Sequence, residues 1–169
     1  MIRPLEERDY TAAIRIVNES WRAVYTGYVN PALLDDAGCR ARGERLEQDF
    51  VSRRLAEYVW EEDGRIWALL SMGDTADPDL PGAFEIWRVY VDAAARGRGI
   101  GGQLLEFAEN YAREHGYTRA VIWAFQKNIR ATAFYQSRGY RIDREEDLGE
   151  PYRARGVRFI KTIAEEGKR

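Results

Sequence analysis

Residues 96 to 102 read Arg-Gly-Arg-Gly-Ile-Gly-Gly and form a glycine-rich turn in the middle of the chain. A turn of this kind that leads into a helix exposes backbone N–H groups with no partner inside the helix, at the positive end of its dipole. Glycines also remove the Cβ atoms that would keep a diphosphate away from the backbone. The turn therefore predicts a ligand that contains a diphosphate, and Arg96 and Arg98 add positive charge beside it.

The segments on either side of the turn predict how it is held. Residues Phe84–Val91 are rich in aromatic and β-branched side chains and have the length of an ordinary strand. Beyond the turn, apolar residues recur at intervals of three and four, the spacing of one face of an amphipathic helix: Ile100, Leu104, Phe107, Ala108 and Tyr111. The predicted order is strand, glycine turn, helix.

Two families of nucleotide-binding proteins carry similar turns. Gly97, Gly99 and Gly102 satisfy the pattern G-x-G-x-x-G, which on its own is a weak signal. A dinucleotide-binding fold also needs an acidic residue at the end of the next strand, but that strand ends at Phe125-Gln126. A P-loop needs G-K-[ST] at the helix start, where this chain has Gly-Ile-Gly-Gly-Gln. Neither family fits.

A third pattern matches more of the chain. Arg96-x-x-Gly99-x-Gly101 matches the Q/R-x-x-G-x-G/A signature of the GNAT superfamily of acyl-CoA-dependent N-acetyltransferases. Downstream, residues 128–140 resemble the family segment N-x-x-A-x-x-F-Y followed by G-F/Y. The region from residue 84 to residue 140 therefore resembles a GNAT enzyme.

The resemblance implies an α/β fold of the α+β type. It implies a single GNAT-like domain, which we place over residues 1–169, with a mixed, mostly antiparallel sheet that is splayed at the central strand and has helices on both faces. Sequence patterns predict further strands at 2–5, 57–61, 65–73, 120–125, 139–143 and 157–163, and helices after an Asp9 N-cap, at 40–56 and at 130–137. Residues 143–156 are predicted as a charged connection and 165–169 as a solvated tail.

Composition restricts the function classes. The chain has 169 residues, a length that suits one domain, and its 26 basic and 28 acidic residues nearly balance, so we expect no nucleic-acid partner. It has no signal-peptide pattern and no apolar run near the ~20 residues that span a membrane, so we expect a cytoplasmic protein without a membrane partner. Cys39 and His115 are the only residues of their types, which argues against a metal site and a histidine-based catalytic triad.

The family resemblance implies acetyl-CoA as a cosubstrate and no metal. In the family, backbone N–H groups of the central strand bind the acetyl carbonyl and the pantetheine arm, those of the glycine turn bind the diphosphate, and an asparagine contacts the pantetheine region. The corresponding cofactor-binding residues here are Val89, Tyr90, Val91, Arg96, Gly97, Arg98, Gly99, Ile100, Gly101, Gly102 and Asn128. An N-terminal helix cap is the alternative role for Asn128.

Two catalytic residues follow from the same alignment. Tyr135 matches the family tyrosine that faces the cofactor sulfur as general acid, and a phenol with an ordinary pKa of about 10 is protonated at neutral pH. Its alternative role is an aromatic core residue. Glu85 matches a glutamate that deprotonates the amine directly or through water, and strand alternation predicts that it shares a face with Val89. Its alternative role is a solvated carboxylate.

The predicted reaction is transfer of an acetyl group to a primary amine of a small molecule or a protein, by direct attack in a ternary complex. In the family, the acceptor pocket is built from regions that correspond to residues 21–36 and 143–155, where Trp21, Tyr25 and Tyr28 could line it. Acidic residues 145–147 suit a cationic amine, whereas Arg153 and Arg155 suit an acceptor with a carboxylate. Both alternatives stay open.

Other functions are compatible with parts of the sequence. A non-catalytic acyl-CoA-binding or sensing module would not need a proton donor, so Asn128 and Tyr135 favour catalysis. A nucleotide-dependent oxidoreductase is disfavoured by the missing acidic residue. The sequence leaves a homodimer open.

Overall fold

A computed structural model describes residues 1–163. Its strands are β1 Ile2–Pro4, β2 Ala56–Glu62, β3 Arg65–Asp74, β4 Phe84–Val91, β5 Arg119–Phe125, β6 Arg141–Asp147 and β7 Arg155–Thr162. The helices are α1 Tyr10–Tyr25, α2 Asp36–Val51, α3 Ile100–Glu114 and α4 Ile129–Ser137. Short 3-10 turns lie at Glu7–Asp9, Pro31–Leu33 and Ala93–Ala95. The predicted tail at 165–169 lies outside the described residues.

The strands form one mixed sheet in the order β1-β2-β3-β4-β5-β7-β6. Neighbouring strands in this order are antiparallel except β4 and β5, which are parallel. The predicted α/β fold with a mostly antiparallel sheet is therefore confirmed. None of the helices in residues 1–163 has the length and apolar character that a membrane-spanning segment requires.

The central strands separate soon after they pair. Strands β4 and β5 pair at only two positions, Phe84 with Ala120 and Glu85 with Val121, although the strands are eight and seven residues long. The remainder of each strand diverges from its neighbour. The sheet is thus splayed at β4, as predicted.

Two apolar clusters hold helices on opposite faces of the sheet. On one face α3 presents a fully buried stripe that includes Leu104, Leu105, Ala108 and Ala112, and this stripe packs on β3 and β4. On the other face α1 and α2 pack through a cluster that includes Ile16, Val17 and Leu46. The packing of α3 fixes its first turn beside the splay.

A β-bulge in β4 changes which side chains face each layer. Ser71 pairs with Arg88 but the next residue, Met72, pairs with Ile86, so Trp87 is an extra residue in β4. A bulge of this kind interrupts the alternation of side chains. On the α3 face of β4 lie Ile86, Val89 and Val91, which pack in the α3 cluster. On the α1 face lie Glu85, Arg88 and Tyr90, and Tyr90 packs in the α1 cluster.

The prediction that Glu85 shares a face with Val89 is therefore wrong. Simple alternation over four residues gives the same face, but the bulge between them adds one residue and reverses the parity. Glu85 lies on the side of the sheet that is covered by α1 and α2.

Three other local predictions also need correction. The charged segment after residue 143 is not all connection, because β6 runs on to Asp147 as an exposed edge strand. Helix α2 begins at Asp36, where the side chain of Asp35 accepts from the N–H of Gly38 at 2.8 Å, and it ends at Val51 rather than at residue 56. Asp9 occupies the N-cap position of α1 as predicted, but its carboxylate makes no capping hydrogen bond to that helix; it accepts from Arg3 at 2.7 and 3.0 Å instead.

Replacement of Leu104 by Ala should lower the free energy of unfolding by about 3 kcal/mol, because the side chain is fully buried between α3 and the sheet. Urea denaturation measures the change. Val51→Ala is the control, since its side chain is 74% exposed, and it should change stability by no more than about 0.5 kcal/mol. Equal effects of the two substitutions would contradict this assignment of the core.

Candidate active site

A cleft of about 470 Å³ lies at the splay between β4 and β5. Residues of α1, β4, the glycine turn, β5 and α4 line it, so it reaches from one helical layer to the other. Of the residues predicted from the sequence, it brings together Val89, Tyr90, Val91, Arg96, Gly97, Gly99, Ile100, Gly101, Gly102, Asn128 and Tyr135. Arg98 and Glu85 do not line it.

The glycine turn has the backbone that its sequence predicts. Gly97 and Gly99 have φ angles of 78° and 79°, a left-handed conformation that favours glycine. Gly99 is the N-cap of α3, so no side chain occupies the N–H groups of the first helical turn. These groups lie beside the cleft and are available to an anion.

A buried carboxylate fixes the chain just before the turn. Asp92, which is 5% exposed, accepts from the N–H of Ala94 at 2.9 Å and forms an ion pair with Arg15 at 2.9 Å. These contacts tie the end of β4 to α1. The position of the glycine turn is therefore set by both layers.

Three guanidinium groups stand at this end of the cleft. Arg96, Arg130 and Arg138 line it, and within residues 1–163 none of the three makes a side-chain hydrogen bond or ion pair with the protein. Arg98 differs, since its guanidinium bonds to Glu62 away from the cleft. The sequence analysis missed Arg130 and Arg138, although Arg130 lies in the same segment as Asn128 and Tyr135.

Asn128 serves as the N-cap of α4. Its side-chain oxygen accepts from the N–H of Ala131 at 3.2 Å. The alternative role considered for this residue is thus present in the structure, and its side chain also lines the cleft.

Tyr135 lies on α4, belongs to the apolar cluster of the α3 face and lines the cleft. Its ring packs edge-to-face against Phe159 at a centroid distance of 5.3 Å. Burial, and to a smaller extent Tyr90, raises the pKa of its hydroxyl well above the ordinary value. Tyr135 therefore combines a core ring with a hydroxyl that remains protonated at neutral pH.

Two further tyrosines approach Tyr135 from the opposite face. The hydroxyl of Tyr90 accepts from the indole N–H of Trp21 at 3.0 Å, and both Tyr90 and Tyr25 line the cleft. Burial is the main reason that the pKa of Tyr25 lies well above its ordinary value. The cleft thus passes from α4 through a group of three phenols to α1.

A group of aromatic side chains lies beside the α1 end of the cleft. The rings of Trp21, Tyr25, Tyr28 and Tyr152 lie 4.8 to 6.2 Å from that of Phe125. Of the three aromatic residues predicted to line an acceptor pocket, Tyr25 lines the cleft, while Trp21 and Tyr28 pack behind it. The hydroxyl of Tyr28 is buried and has no hydrogen-bond partner in the part of the chain that the structure describes.

The two segments predicted to frame the acceptor pocket are joined directly. Asn30 donates its backbone N–H to the carbonyl of Tyr152 and its side-chain N–H to the carbonyl of Pro151, both at 2.9 Å. Asn30 itself is buried. The α1–α2 and β6–β7 connections therefore meet beside the aromatic group.

Glu85 is buried behind this side of the cleft and is 5% exposed. The hydroxyl of Thr75 donates to its carboxylate at 2.8 Å. Burial raises the pKa of Glu85 to about 7, and the negative charge of Asp77 acts in the same direction. The indole N–H of Trp123 donates to Asp77 at 2.9 Å, and Trp123 lines the cleft.

Arg158 organises the surroundings of Glu85. Its guanidinium is 3% exposed and forms ion pairs with Asp77 at 3.1 Å, Asp79 at 2.7 Å and Asp143 at 2.9 Å. These partners come from the β3–β4 connection and from β6, so the network anchors Thr75 and its neighbours against the sheet. Sequence reasoning missed it because its members come from three separate parts of the chain, residues 77–79, Asp143 and Arg158.

A second buried carboxylic acid lies on the same face. One oxygen of Glu57 accepts from the hydroxyl of Ser71, whereas the other has no hydrogen-bond donor in residues 1–163. Arg88 lies 3.5 Å from that second oxygen and bonds to Asp49 at 2.7 Å. Burial raises the pKa of Glu57 to about 7.

Comparison with known proteins agrees with this geometry. The sequence profile of the Acetyltransferase (GNAT) family matches residues 14–140. A protein of Mycobacterium tuberculosis that is named a probable N-acetyltransferase is 28% identical over 145 residues, which are 84% of this chain and 80% of that protein.

Solved structures share the fold. The PaiA N-acetyltransferase from Thermoplasma acidophilum, in complex with coenzyme A, matches with a TM-score of 0.77 and 20% identity over 96% of this chain and 98% of that one. The yncA structure from Salmonella typhimurium, with its cofactor acetyl-CoA, matches with a TM-score of 0.73 and 21% identity over 100% and 96%.

The raised pKa of Glu57 makes stability depend on pH. An acid with an ordinary pKa of 4.5 and a folded-state pKa of about 7 stays protonated in the folded protein while the unfolded chain ionises, so stability falls as pH rises from about 4.5 to 7. Glu57→Gln should remove this loss. Between pH 5 and pH 8 the unfolding free energy of the variant should rise relative to wild type by on the order of 3 kcal/mol. Urea denaturation at the two pH values measures it, and parallel pH dependences would contradict the assignment.

Proposed function

Because the chain belongs to the Acetyltransferase (GNAT) family, we propose that it transfers an acetyl group from acetyl-CoA to a primary amine of a small molecule or protein, by direct attack in a ternary complex. The observation that carries the proposal is the cleft at the splay of β4 and β5. At one end the cleft has the open first turn of α3 and three guanidiniums that are unpaired within residues 1–163. At the other end it has Tyr135 and the proposed acceptor chamber, which Tyr25 and Trp123 line.

The cofactor end of the cleft fits coenzyme A. A diphosphate needs backbone N–H groups and positive charge, and both are present at Gly99, Gly101 and Arg96. A pantetheine arm can take hydrogen bonds from a strand edge, and β4 offers an unpaired edge near Val89. When bound, acetyl-CoA supplies the acetyl group as a thioester that an amine can attack.

Tyr135 is the proposed general acid. Tyr135 lines the cleft, and the raised pKa of its hydroxyl keeps it protonated until a strong base such as a departing thiolate is near. The packing of its ring on Phe159 holds the hydroxyl in position.

Glu85 is the proposed general base. With a pKa of about 7, the carboxyl group is ionised in roughly half of the molecules at neutral pH. The ionised carboxylate is a stronger base than an ordinary glutamate and can take a proton from an ammonium group through water. Because Glu85 stands behind the wall of the cleft and bonds to Thr75, the proton reaches it indirectly. Its position on the α1 face supports this role, since the acceptor chamber is on that side.

Thiol release from acetyl-CoA, measured across polyamines, aminoglycosides, amino acids and lysine peptides, tests the proposed function. At least one amine should stimulate release. If the protein binds acetyl-CoA but no amine in the panel stimulates release, the result contradicts the proposal and favours the acyl-CoA-binding module.

Tyr135→Phe should lower kcat by on the order of 100-fold, because it removes the proton donor and leaves the ring packing intact. The dissociation constant of acetyl-CoA should stay within about twofold of wild type. Tyr140→Phe is the matched control, since its hydroxyl bonds to Glu109 outside the cleft. An unchanged kcat in Tyr135→Phe would exclude the acid role.

The pH dependence of kcat tests Glu85. A base with a pKa of about 7 must be ionised to act, so wild-type kcat should fall as pH drops below about 7. Glu85→Gln should be slower and should lack this acidic limb. Glu57→Gln is an informative control because Glu57 has the same raised pKa on the same face but does not bond to Thr75. If Glu57→Gln loses the acidic limb and Glu85→Gln keeps it, the limb belongs to Glu57 and the proposed role of Glu85 is wrong.

A further inference from the structure

Arg138 reaches from the end of α4 to the start of α3. It follows Ser137, the last residue of α4, and its guanidinium lies directly against Gly102 in the first turn of α3. A Cβ atom at Gly102 would stand 2.1 Å from one terminal nitrogen of Arg138. Any other residue at position 102 would force the guanidinium to move.

This guanidinium has no counter-ion among residues 1–163. Within residues 1–163 it makes no ion pair or hydrogen bond, and its nearest aromatic contact is the ring of Phe134 at 5.6 Å. Arg98 and Arg158 differ in this respect, since Arg98 pairs with Glu62 and Arg158 pairs with three aspartates.

The Arg138 guanidinium lies at the N-terminal end of α3, where a counter-ion is especially needed. The first turn of a helix carries partial positive charge, so a cation placed there is electrostatically unfavourable. Arg138 and the open N–H groups of α3 thus place two positive groups at one point of the cleft. An anion bound between them would remove the repulsion and satisfy both.

We infer that Arg138 binds the diphosphate of coenzyme A together with the first-turn N–H groups of α3, and that position 102 is glycine so that this guanidinium can pass. The inference rests on the proposed function and adds a residue outside the glycine turn to its cofactor site. The contact with Gly102 selects the diphosphate rather than the 3′-phosphate of the cofactor, because the diphosphate is the group that the turn accommodates.

A comparison of two ligands distinguishes binding to the diphosphate from binding to the 3′-phosphate. Coenzyme A carries both groups, whereas 3′-dephospho-coenzyme A has the diphosphate and lacks the 3′-phosphate. Calorimetric titration should show that Arg138→Gln weakens both by the same factor, on the order of 10-fold to 100-fold, because a charge-assisted pair is lost from each. Arg141→Gln is the matched control, an exposed arginine that does not line the cleft, and it should bind both ligands like wild type.

Each other result has a definite meaning. Unchanged affinities in Arg138→Gln would overturn the inference, and a loss seen only with coenzyme A would move Arg138 to the 3′-phosphate and overturn it as well. A wild-type protein that binds neither ligand would instead contradict the proposed function.

A double-mutant cycle tests the role of Gly102. In Gly102→Ala the new methyl group should displace the guanidinium and weaken binding of both ligands about as much as Arg138→Gln does. The double variant should be no weaker than Arg138→Gln, since both changes remove one contact. Additive losses, in variants with wild-type circular dichroism spectra, would show that Gly102 acts on the ligand independently of Arg138 and would overturn this part.

Discussion

Strands β4 and β5 share two paired positions and then part, and the remaining architecture of the site depends on that separation. Buried backbone N–H and C=O groups need hydrogen-bond partners, and in the centre of a sheet a neighbouring strand usually provides them. Here the inner edges of both strands are left open beside a cleft that crosses the sheet. The chain therefore offers an extended ligand the contacts that a strand would otherwise make, and the helices on each face determine what the two ends of that ligand meet.

The bulge at Trp87 divides the charges between those two ends. Because parity changes within β4, the apolar residues Ile86 and Val89 face α3, while Glu85 and Arg88 face α1 and α2. The cofactor side thus keeps an apolar strand surface and receives its charge from the glycine turn and from α4. The opposite side contains the buried carboxylic acids Glu57 and Glu85, and their burial raises their pKa values.

Local patterns predicted the elements that carry the cofactor end. The strand Phe84–Val91, the glycine turn and α3 could be predicted because apolar spacing and glycine conformation are properties of short segments. β6 was cut short in the prediction because an exposed edge strand has no apolar alternation to detect. The face of Glu85 was predicted wrongly because a bulge depends on register with β3, and the contact of Arg138 with Gly102 depends on how α4 packs beside α3. Such relations join residues that are distant in sequence, and no pattern within one segment records them.

The hydrogen bonds of Asn30 have a consequence for any redesign of the proposed acceptor pocket. One residue of the α1–α2 connection bonds to two consecutive carbonyl groups of the β6–β7 connection, at Pro151 and Tyr152. If only one of the two connections were replaced by a segment from another protein, the new segment would have to supply donors or carbonyl groups at the positions that the remaining connection requires. The two connections therefore behave as one unit for engineering: a graft has to exchange them as a matched pair, while the glycine turn and α3 can be left as they are.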